Sequence, residues 1–291
     1  MIYICNGCKK ESSNLTCKYC GFDNSFIKNK NKKNIYLSNF SLEWKIHSKT
    51  QFEEFNSKVP SSETFFLRTN KKGNFFHNKK VLDAGVGSGR FSAVPLKFGA
   101  KVWGVDLSEA YLVAANNFKK EQNYQSIQAD ISRMPFADKQ FDYIFSFGVI
   151  HHSPDPKACL KEMFRVLKPG GEICITVYPS YGMYYTSKVI RKITTKIPQK
   201  LLYLITTIYL CIFYLPYKYL FLKHSFLGKL IPISLSKSFK EAILDTYDCY
   251  SPKYQHTFHA YELYEILSEI GFKEIEPRPH PITMVAKRET I

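Results

Sequence analysis

A glycine-rich turn between a predicted strand and a predicted helix is the feature that most constrains the fold of this chain. Residues 81–91 read Val-Leu-Asp-Ala-Gly-Val-Gly-Ser-Gly-Arg-Phe, an apolar strand followed by glycines at alternate positions. Glycine has no Cβ and tolerates positive φ, so such a turn lets a ligand lie close to the backbone. Dinucleotide-binding turns follow Gly-x-Gly-x-x-Gly, whereas the third glycine here comes one residue early.

Acidic residues recur near the ends of the predicted strands that surround this turn. Asp83 lies at the end of the first strand, Asp106 near the end of the second, and Asp130 directly after the third. A fourth apolar run covers residues 141–147, and Val-Leu-Lys-Pro-Gly-Gly follows at 166–171. Strands that alternate with helices in this way predict an α/β fold with a mostly parallel sheet.

From about residue 79 to residue 177, the order of these motifs resembles the Rossmann-like methyltransferases that use S-adenosylmethionine (SAM). The resemblance implies a doubly wound, seven-stranded, mostly parallel sheet whose final strand enters antiparallel. It also implies an enzyme that transfers a methyl group from SAM.

The composition changes along the chain and suggests five segments. They are a small zinc-ribbon-like cysteine module at 1–27, a linker and helical region at 28–78, the SAM-binding core at 79–178, a basic apolar helical insertion or cap at 179–256, and the C-terminal part of the sheet at 257–291. Within the second segment, residues 40–78 carry aromatic side chains such as Phe40 and Trp44. We predict that they form helices on one side of the active-site mouth.

The resemblance assigns a cofactor site at the carboxyl ends of the strands, near the point where strand order reverses. An ionised carboxylate only accepts hydrogen bonds, so Asp106 suits both ribose hydroxyls. By resemblance, Asp130 and the amide of Ile131 bind the adenine edge, and Leu107 flanks the ring. The predicted cofactor-binding residues are Asp83, Gly85, Gly87, Gly89, Asp106, Leu107, Asp130, Ile131 and Phe147.

Methyl transfer from a sulfonium needs mainly proximity and orientation and, for some acceptors, a base. The candidate base lies in Gly-Val-Ile-His-His-Ser-Pro at 148–154. This stretch is similar to one in the quinone-biosynthesis C-methyltransferases. Histidine titrates near neutrality, so His151 or His152 is a candidate for moving a proton. Structural support of the loop beside the cofactor is the competing interpretation.

A second polar and aromatic cluster at 245–257 precedes the last predicted helix. Relatives complete the substrate pocket at this place in the chain. We therefore take Asp248, Tyr254 and His256 as candidates for contact with the acceptor, against the alternative of a tyrosine-rich packing loop.

The N-terminal cysteines have the spacing Cys-x2-Cys-x8-Cys-x2-Cys, formed by Cys5, Cys8, Cys17 and Cys20. Four thiolates on two tight turns suit a closed, tetrahedral, structural zinc site. The separation of eight is shorter than the usual zinc-ribbon spacing, and a redox pair is the alternative. The other four cysteines are scattered, which suits a reducing cytoplasm.

The net charge of +16 is concentrated outside the predicted catalytic core. Residues 178–240 contain nine lysines, one arginine and no acid, and residues 201–217 within them carry no charge. Seventeen residues barely reach the length of a membrane span, and predicted strands of one sheet lie on both sides, so we predict no transmembrane segment. Three interpretations remain: a helical cap, an interfacial element on anionic lipid, or an RNA-binding surface, for which the uncharged run is too apolar.

These observations predict a SAM-dependent methyltransferase that acts on a carbon or oxygen of a small or lipid-like acceptor. We expect it in the cytoplasm, with a peripheral position at the inner face of the membrane as an option. One alternative is an rRNA or tRNA methyltransferase whose zinc module contacts RNA, because some rRNA guanine methyltransferases join a zinc module to this core. Another is a non-catalytic assembly partner with the same fold.

Overall fold

The computed structural model describes residues 3–4, 10–13, 38–48, 61–219, 233–235, 238–279 and 282–290. The cysteines predicted to bind zinc, Cys5, Cys8, Cys17 and Cys20, lie outside these residues. The described strands are β1 (Tyr3–Ile4), β2 (Glu11–Ser12), β3 (Lys80–Ala84), β4 (Lys101–Asp106), β5 (Tyr124–Gln128), β6 (Phe141–Phe147), β7 (Leu167–Thr176), β8 (Phe272–Arg278) and β9 (Thr283–Arg288). The described α-helices are α1 (Ser38–Ile46), α2 (Ser61–Thr69), α3 (Ala93–Lys97), α4 (Ala110–Asn117), α5 (Pro156–Val166), α6 (Met183–Thr194), α7 (Gln199–Tyr219), α8 (Phe239–Tyr250) and α9 (Ala260–Ile270).

Seven of these strands form one sheet in the order β5-β4-β3-β6-β7-β9-β8. Neighbouring strands from β5 to β7 are parallel, whereas β9 runs antiparallel to both β7 and β8. The predicted doubly wound, mostly parallel sheet with an antiparallel final strand is confirmed. The chain moves outward from β3 to β5 and then places β6 on the other side of β3. Such a reversal of strand order opens a crevice at the carboxyl ends of the strands.

Successive side chains of a strand point to opposite faces of the sheet, and the central strands are buried on both faces. In β3, Val81 belongs to one apolar cluster with Phe65 and Phe76, while Leu82 belongs to the opposite cluster with Leu160. A strand covered on both faces reads as a continuous apolar run. This burial explains why the strands of the core were recognisable in the sequence.

Local capping fixes the ends of the helices that flank the later strands. The Asp155 carboxylate accepts a hydrogen bond from the Ala158 amide at 2.9 Å and begins α5. Gly271 ends α9 with a φ of 108°. Both residues suit their places, since aspartate is a preferred N-cap and glycine a preferred left-handed C-cap.

The sequence predicts one helix over residues 89–98 and another that follows an N-cap at Ser108, but both helices begin later in the structure. The helix expected to start at Gly89 begins at Ala93, because the chain is still turning over the intervening residues. The helix expected after an N-cap at Ser108 begins at Ala110. The Ser108 hydroxyl donates to Asp106 Oδ1 at 2.7 Å, so this side chain holds the end of β4 in place.

The N-terminal hairpin of β1 and β2 is fastened to the main sheet by one buried aromatic residue. Tyr3 packs against Phe136 with ring centroids 5.8 Å apart. Its hydroxyl donates to Gln125 Oε1 at 2.8 Å and accepts from the Trp103 indole N–H at 3.3 Å. Tyr3, two residues before Cys5 in the sequence, therefore makes a firm contact with β4 and β5.

The segment predicted as a helical insertion contains α6, α7 and α8. A small apolar cluster joins α7 to α8 through Leu210, Tyr214, Ala242 and Ile243. Among the described residues, α7 is the one helix whose length and composition would allow it to cross a membrane. Strands of the same sheet precede and follow this helical layer.

Candidate functional site

A cavity of about 190 Å³ lies at the carboxyl ends of β3, β4 and β6, where the strand order reverses. Gly89 is the one predicted cofactor-binding residue that does not line it. The predicted residues that do are Asp83, Gly85, Gly87, Asp106, Leu107, Asp130, Ile131 and Phe147. Residues from four strand ends that are distant in sequence thus meet around one space.

The glycine turn passes under this cavity in a conformation that side chains would disturb. Gly85 has a φ of +96°, and a Cβ there would clash with the side chain of Val149. Gly87 has a φ of +52°, and its Cβ would lie 2.9 Å from the indole of Trp44. Gly89 also has a positive φ but faces Phe118 rather than the cavity. Its requirement for glycine therefore comes from packing behind the turn.

Two carboxylates at the cavity edge are held by hydrogen bonds from nearby backbone amides. Asp106 Oδ2 accepts from the Gly87 amide at 3.0 Å, and its Oδ1 accepts from the Ser108 amide at 2.9 Å. Asp130 Oδ1 accepts from the Ser132 amide at 2.8 Å. Both side chains are therefore oriented before any ligand arrives.

Asp83 is the buried acid of the site. The Ser92 hydroxyl donates to its Oδ2 at 2.7 Å. Burial raises the pKa of the Asp83 carboxyl from 3.8 to about 7, because the charged form loses its hydration and the Ser92 hydrogen bond offsets only part of that loss.

Of the two adjacent histidines, His152 is the one that lines the cavity. Its Nδ1 lies 3.0 Å from the Tyr254 carbonyl oxygen, which only accepts, so Nδ1 carries the proton and Nε2 has a free lone pair. Nε2 lies 4.0 Å from Asp248 Oδ1, and Asp248 Oδ2 accepts from the Tyr178 hydroxyl. Burial lowers the pKa of His152, while Asp248 opposes that shift. The neutral imidazole can accept a proton, and Asp248 would stabilise the resulting cation.

The remaining predicted residues lie outside the cavity. His151 is fully buried, and neither of its ring nitrogens has a hydrogen-bond partner among the described residues. Its ring lies against Tyr178, and burial lowers its pKa well below the usual value. His256 is exposed and bonds the Ser153 carbonyl oxygen, and Tyr254 contributes its backbone to His152. The geometry therefore favours His152 over His151 as a base, and Asp248 as the cavity-lining member of the 245–257 cluster.

Helix α1 supplies one wall of the cavity, and the sequence predicted only the aromatic residues of that wall. Phe40 and Trp44 line it, as expected of the aromatic residues at the mouth. Glu43 also lines it, is buried, and has one carboxylate oxygen without a hydrogen-bond partner among the described residues. Burial and the nearby Asp248 raise the pKa of Glu43 well above its usual value. Nothing in the local sequence marked Glu43, because only the packing of α1 over the sheet brings it to the site.

Polar contacts connect α1 to the core that contains the sheet and to the helical insertion. The Lys45 ammonium donates to Glu109 Oε2 at 2.5 Å, just before α4. The His47 Nε2 atom and the Tyr203 hydroxyl of α7 lie 2.9 Å apart. The helix that covers the cavity therefore connects the core to the insertion.

Comparison with known proteins agrees with this geometry. Residues 82–175 match the family described as "Methyltransferase domain". The chain therefore contains a methyltransferase domain. It includes the glycine turn, all the acids discussed above except Glu43 and Asp248, and both adjacent histidines.

Two curated relatives match stretches of 115 and 111 residues. A phosphoethanolamine N-methyltransferase 2 from Caenorhabditis elegans is 36% identical over 115 residues, which are 38% of this chain and 26% of that protein. A ubiquinone biosynthesis O-methyltransferase from Idiomarina loihiensis is 39% identical over 111 residues, 37% of this chain and 45% of that protein. The chain thus spans less than half the length of each.

A solved structure of a SAM-dependent methyltransferase from Aquifex aeolicus is similar over a longer stretch. It covers 87% of this chain and 98% of that chain, with a TM-score of 0.50 and 15% sequence identity. At this identity the likeness supports the fold alone.

The raised pKa of Asp83 predicts a pH-dependent stability that Asp83→Asn removes. The folded protein keeps the proton up to about pH 7, whereas the unfolded chain releases it near 3.8, so wild-type stability falls as pH rises between these values. Relative to the variant, the free energy of unfolding should fall by about 1.4 kcal/mol per pH unit across this window and then level off. Urea unfolding of both proteins without ligand measures it. A difference that stays constant with pH would contradict a buried, protonated Asp83.

Proposed function

We propose that this chain transfers a methyl group from SAM to a carbon or oxygen of a small or lipid-like acceptor. The observation that carries the proposal is the convergence of the glycine turn with the acids that follow β4 and β5 on one cavity at the switch point. SAM, when bound, supplies a methyl group activated by a sulfonium. The residues fit it, because a Cβ at Gly87 would crowd the Trp44 indole that lines the cavity and because the edge offers carboxylates that accept hydrogen bonds.

Asp106 is the proposed ribose-binding residue. An ionised carboxylate has about four lone-pair sites. Asp106 accepts hydrogen bonds from the Gly87 amide, the Ser108 amide and the Ser108 hydroxyl. Two of them share one oxygen, so the carboxylate is fixed in direction and retains acceptor capacity for a ligand hydroxyl. Asp130 and the Ile131 amide remain the proposed contacts of the adenine edge.

His152 is the proposed general base for acceptors that must lose a proton. Its unprotonated Nε2 would take the proton from the acceptor as the acceptor bonds to the methyl carbon. The carbon–sulfur bond of the sulfonium would break in the same step and leave its electron pair on sulfur. The Asp248 carboxylate, 4.0 Å away, would stabilise the imidazolium. Glu43, whose unpaired oxygen lies at the cavity, would form a hydrogen bond with the ligand and so regain a partner.

The chemistry of the walls supports a small or lipid-like acceptor. Phe40, Trp44, Phe91 and Phe147 line the cavity, and apolar and aromatic walls with a few polar groups are typical of small-molecule sites. The names of the two curated relatives also indicate small-molecule methylation by those proteins.

Replacing Asp106 should weaken SAM binding far more than replacing an acid outside the site. Asp106→Asn removes the charge that would accept the ribose hydroxyls, and the dissociation constant for SAM should rise by about tenfold or more. The matched control is Asp138→Asn, which changes an exposed acid outside the cavity. Titration calorimetry measures both. Equal affinities for Asp106→Asn and wild type would refute the ribose assignment.

Replacing His152 should impair transfer without impairing cofactor binding. His152→Gln keeps a polar side chain but cannot take a proton, so methyl incorporation should fall by about a hundredfold or more. The control is His256→Gln, because His256 is exposed and does not line the cavity. Labelled methyl groups from SAM are counted in lipid, small-molecule and RNA fractions of a cell extract.

Unchanged incorporation in His152→Gln would exclude it as the base. Label found chiefly in RNA would replace the proposed acceptor class. SAM binding by the wild-type protein with no label in any fraction would favour a non-catalytic partner.

The N-terminal zinc site remains a prediction from the cysteine spacing. Metal analysis of the purified protein should give about one zinc per chain, because four thiolates complete a tetrahedral site. Cys17→Ser/Cys20→Ser should lose the zinc, whereas Cys211→Ser, a change at an exposed free cysteine, should keep it. Zinc retained by the double variant would contradict a four-cysteine site.

A further inference from the structure

Helix α7 has two apolar faces, and the first is fully accounted for by packing. The buried positions Leu202, Thr206, Leu210 and Tyr214 recur every four residues and lie on one side of the helix. This side packs on α8 and α1. An ordinary surface helix would carry polar residues on its opposite side.

The opposite side of α7 is also apolar, and it is exposed. Its side chains are 45% to 60% exposed, and each lies three or four residues from another member of the set, so they form one continuous stripe along the helix. They are Leu204, Ile205, Ile208, Ile212 and Leu215. On α6, Val189 and Ile193 are each 69% exposed. Single exposed apolar residues are normal on a protein surface, but a contiguous stripe marks an interaction site.

The charges on these helices have a single sign. Lys188 and Lys192 are exposed on α6, and Lys200 and Lys218 stand at the two ends of the stripe on α7. Residues 178–240 contain no acid. We call the exposed apolar and basic residues of these two helices the α6–α7 face.

We propose that the α6–α7 face lies on an anionic lipid surface, with α7 in the plane of the membrane and the lysines at the level of the lipid phosphates. Apolar burial combined with basic charge is how interfacial helices bind such membranes. In a cell, the inner leaflet of the membrane supplies anionic lipid.

Charge complementarity selects lipid over a second copy of the chain. Two copies meeting through this face would bring lysines together with no acid from residues 178–240 to pair with them, and like charges across an interface cost binding energy. A spanning orientation of α7 conflicts with the sheet, because β7 precedes the helix, β8 and β9 follow it, and all three pair together.

The position of the α6–α7 face indicates how a lipid-like acceptor would reach the cavity. This part of the inference rests on the proposed function. Helix α7 touches α1 through the His47–Tyr203 contact, and α1 lines the cavity with Phe40, Glu43 and Trp44. The membrane-facing helix is therefore one helix away from the site. A lipid-like acceptor would reach the cavity from the bilayer along α1.

Vesicle flotation tests the surface without any need for methyl transfer. The wild-type protein is floated with vesicles of phosphatidylcholine and of phosphatidylcholine mixed with phosphatidylglycerol, at low and moderate salt. Binding should be stronger to the anionic vesicles and should persist in part at moderate salt, because salt screens the lysines but not the apolar contact. No flotation with the anionic vesicles at either salt concentration would overturn the proposal.

Substitutions on the stripe make the test specific. Ile208→Glu/Ile212→Glu should lower the vesicle partition coefficient by about tenfold or more, since two isoleucines that the lipid would bury are removed from the contact. The matched control, Leu112→Glu, changes a residue of α4 that is 52% exposed and should leave partitioning unchanged. Lys188→Ser/Lys192→Ser should reduce binding to anionic vesicles and its salt dependence.

Three results would overturn the assignment. They are unchanged partitioning of the Ile208/Ile212 variant, resistance of the bound wild-type protein to alkaline carbonate extraction, and a wild-type dimer that this variant converts to a monomer. SAM calorimetry on the same proteins separates this inference from the proposed function. SAM bound by a wild-type protein that does not float would remove the lipid surface and leave the methyltransferase proposal intact.

Discussion

The hydrogen bond from the Gly87 amide to the Asp106 carboxylate is the interaction on which the site depends. It joins the turn after β3 to the end of β4, two segments that the parallel sheet places side by side. The turn can reach Asp106 because Gly87 adopts a positive φ, and Ser108 holds the other carboxylate oxygen. The floor of the cavity and its principal acceptor are therefore fixed as one unit before ligand binding, which lowers the cost of ordering them later.

Helix α1 extends this unit toward the insertion. It covers the cavity with Trp44 and Glu43 and is bonded on one side to Glu109 and on the other to Tyr203. The site consequently has a preorganised cofactor side built by the sheet and a covering side built by helices that pack on α7. Since α7 has an exposed apolar face, the same helices connect a surface suited to lipid with a cavity suited to methyl transfer.

The sequence predicted the parts of this arrangement that local patterns specify. Apolar runs, the glycine turn and the acids after the strands gave the sheet, the switch point and eight cavity-lining cofactor residues. It could not separate His151 from His152, because the direction of each ring depends on the short helical turn Ile150–His152 and on the Tyr254 carbonyl. Glu43 was missed for a similar reason: its place in the cavity comes from long-range packing of α1. The predicted helix start at Gly89 and the predicted N-cap at Ser108 were wrong, because the glycine turn and the Asp106 loop use those residues.

The central claim is that one cavity holds SAM with its ribose on Asp106. A crystal structure of the full chain with S-adenosylhomocysteine tests it most directly. The account predicts that a ribose hydroxyl donates to the Asp106 carboxylate and that the adenine lies beside Asp130 and Ile131. A ligand bound elsewhere, or a ribose turned away from Asp106 with the carboxylate still bonded only to Gly87 and Ser108, would contradict it.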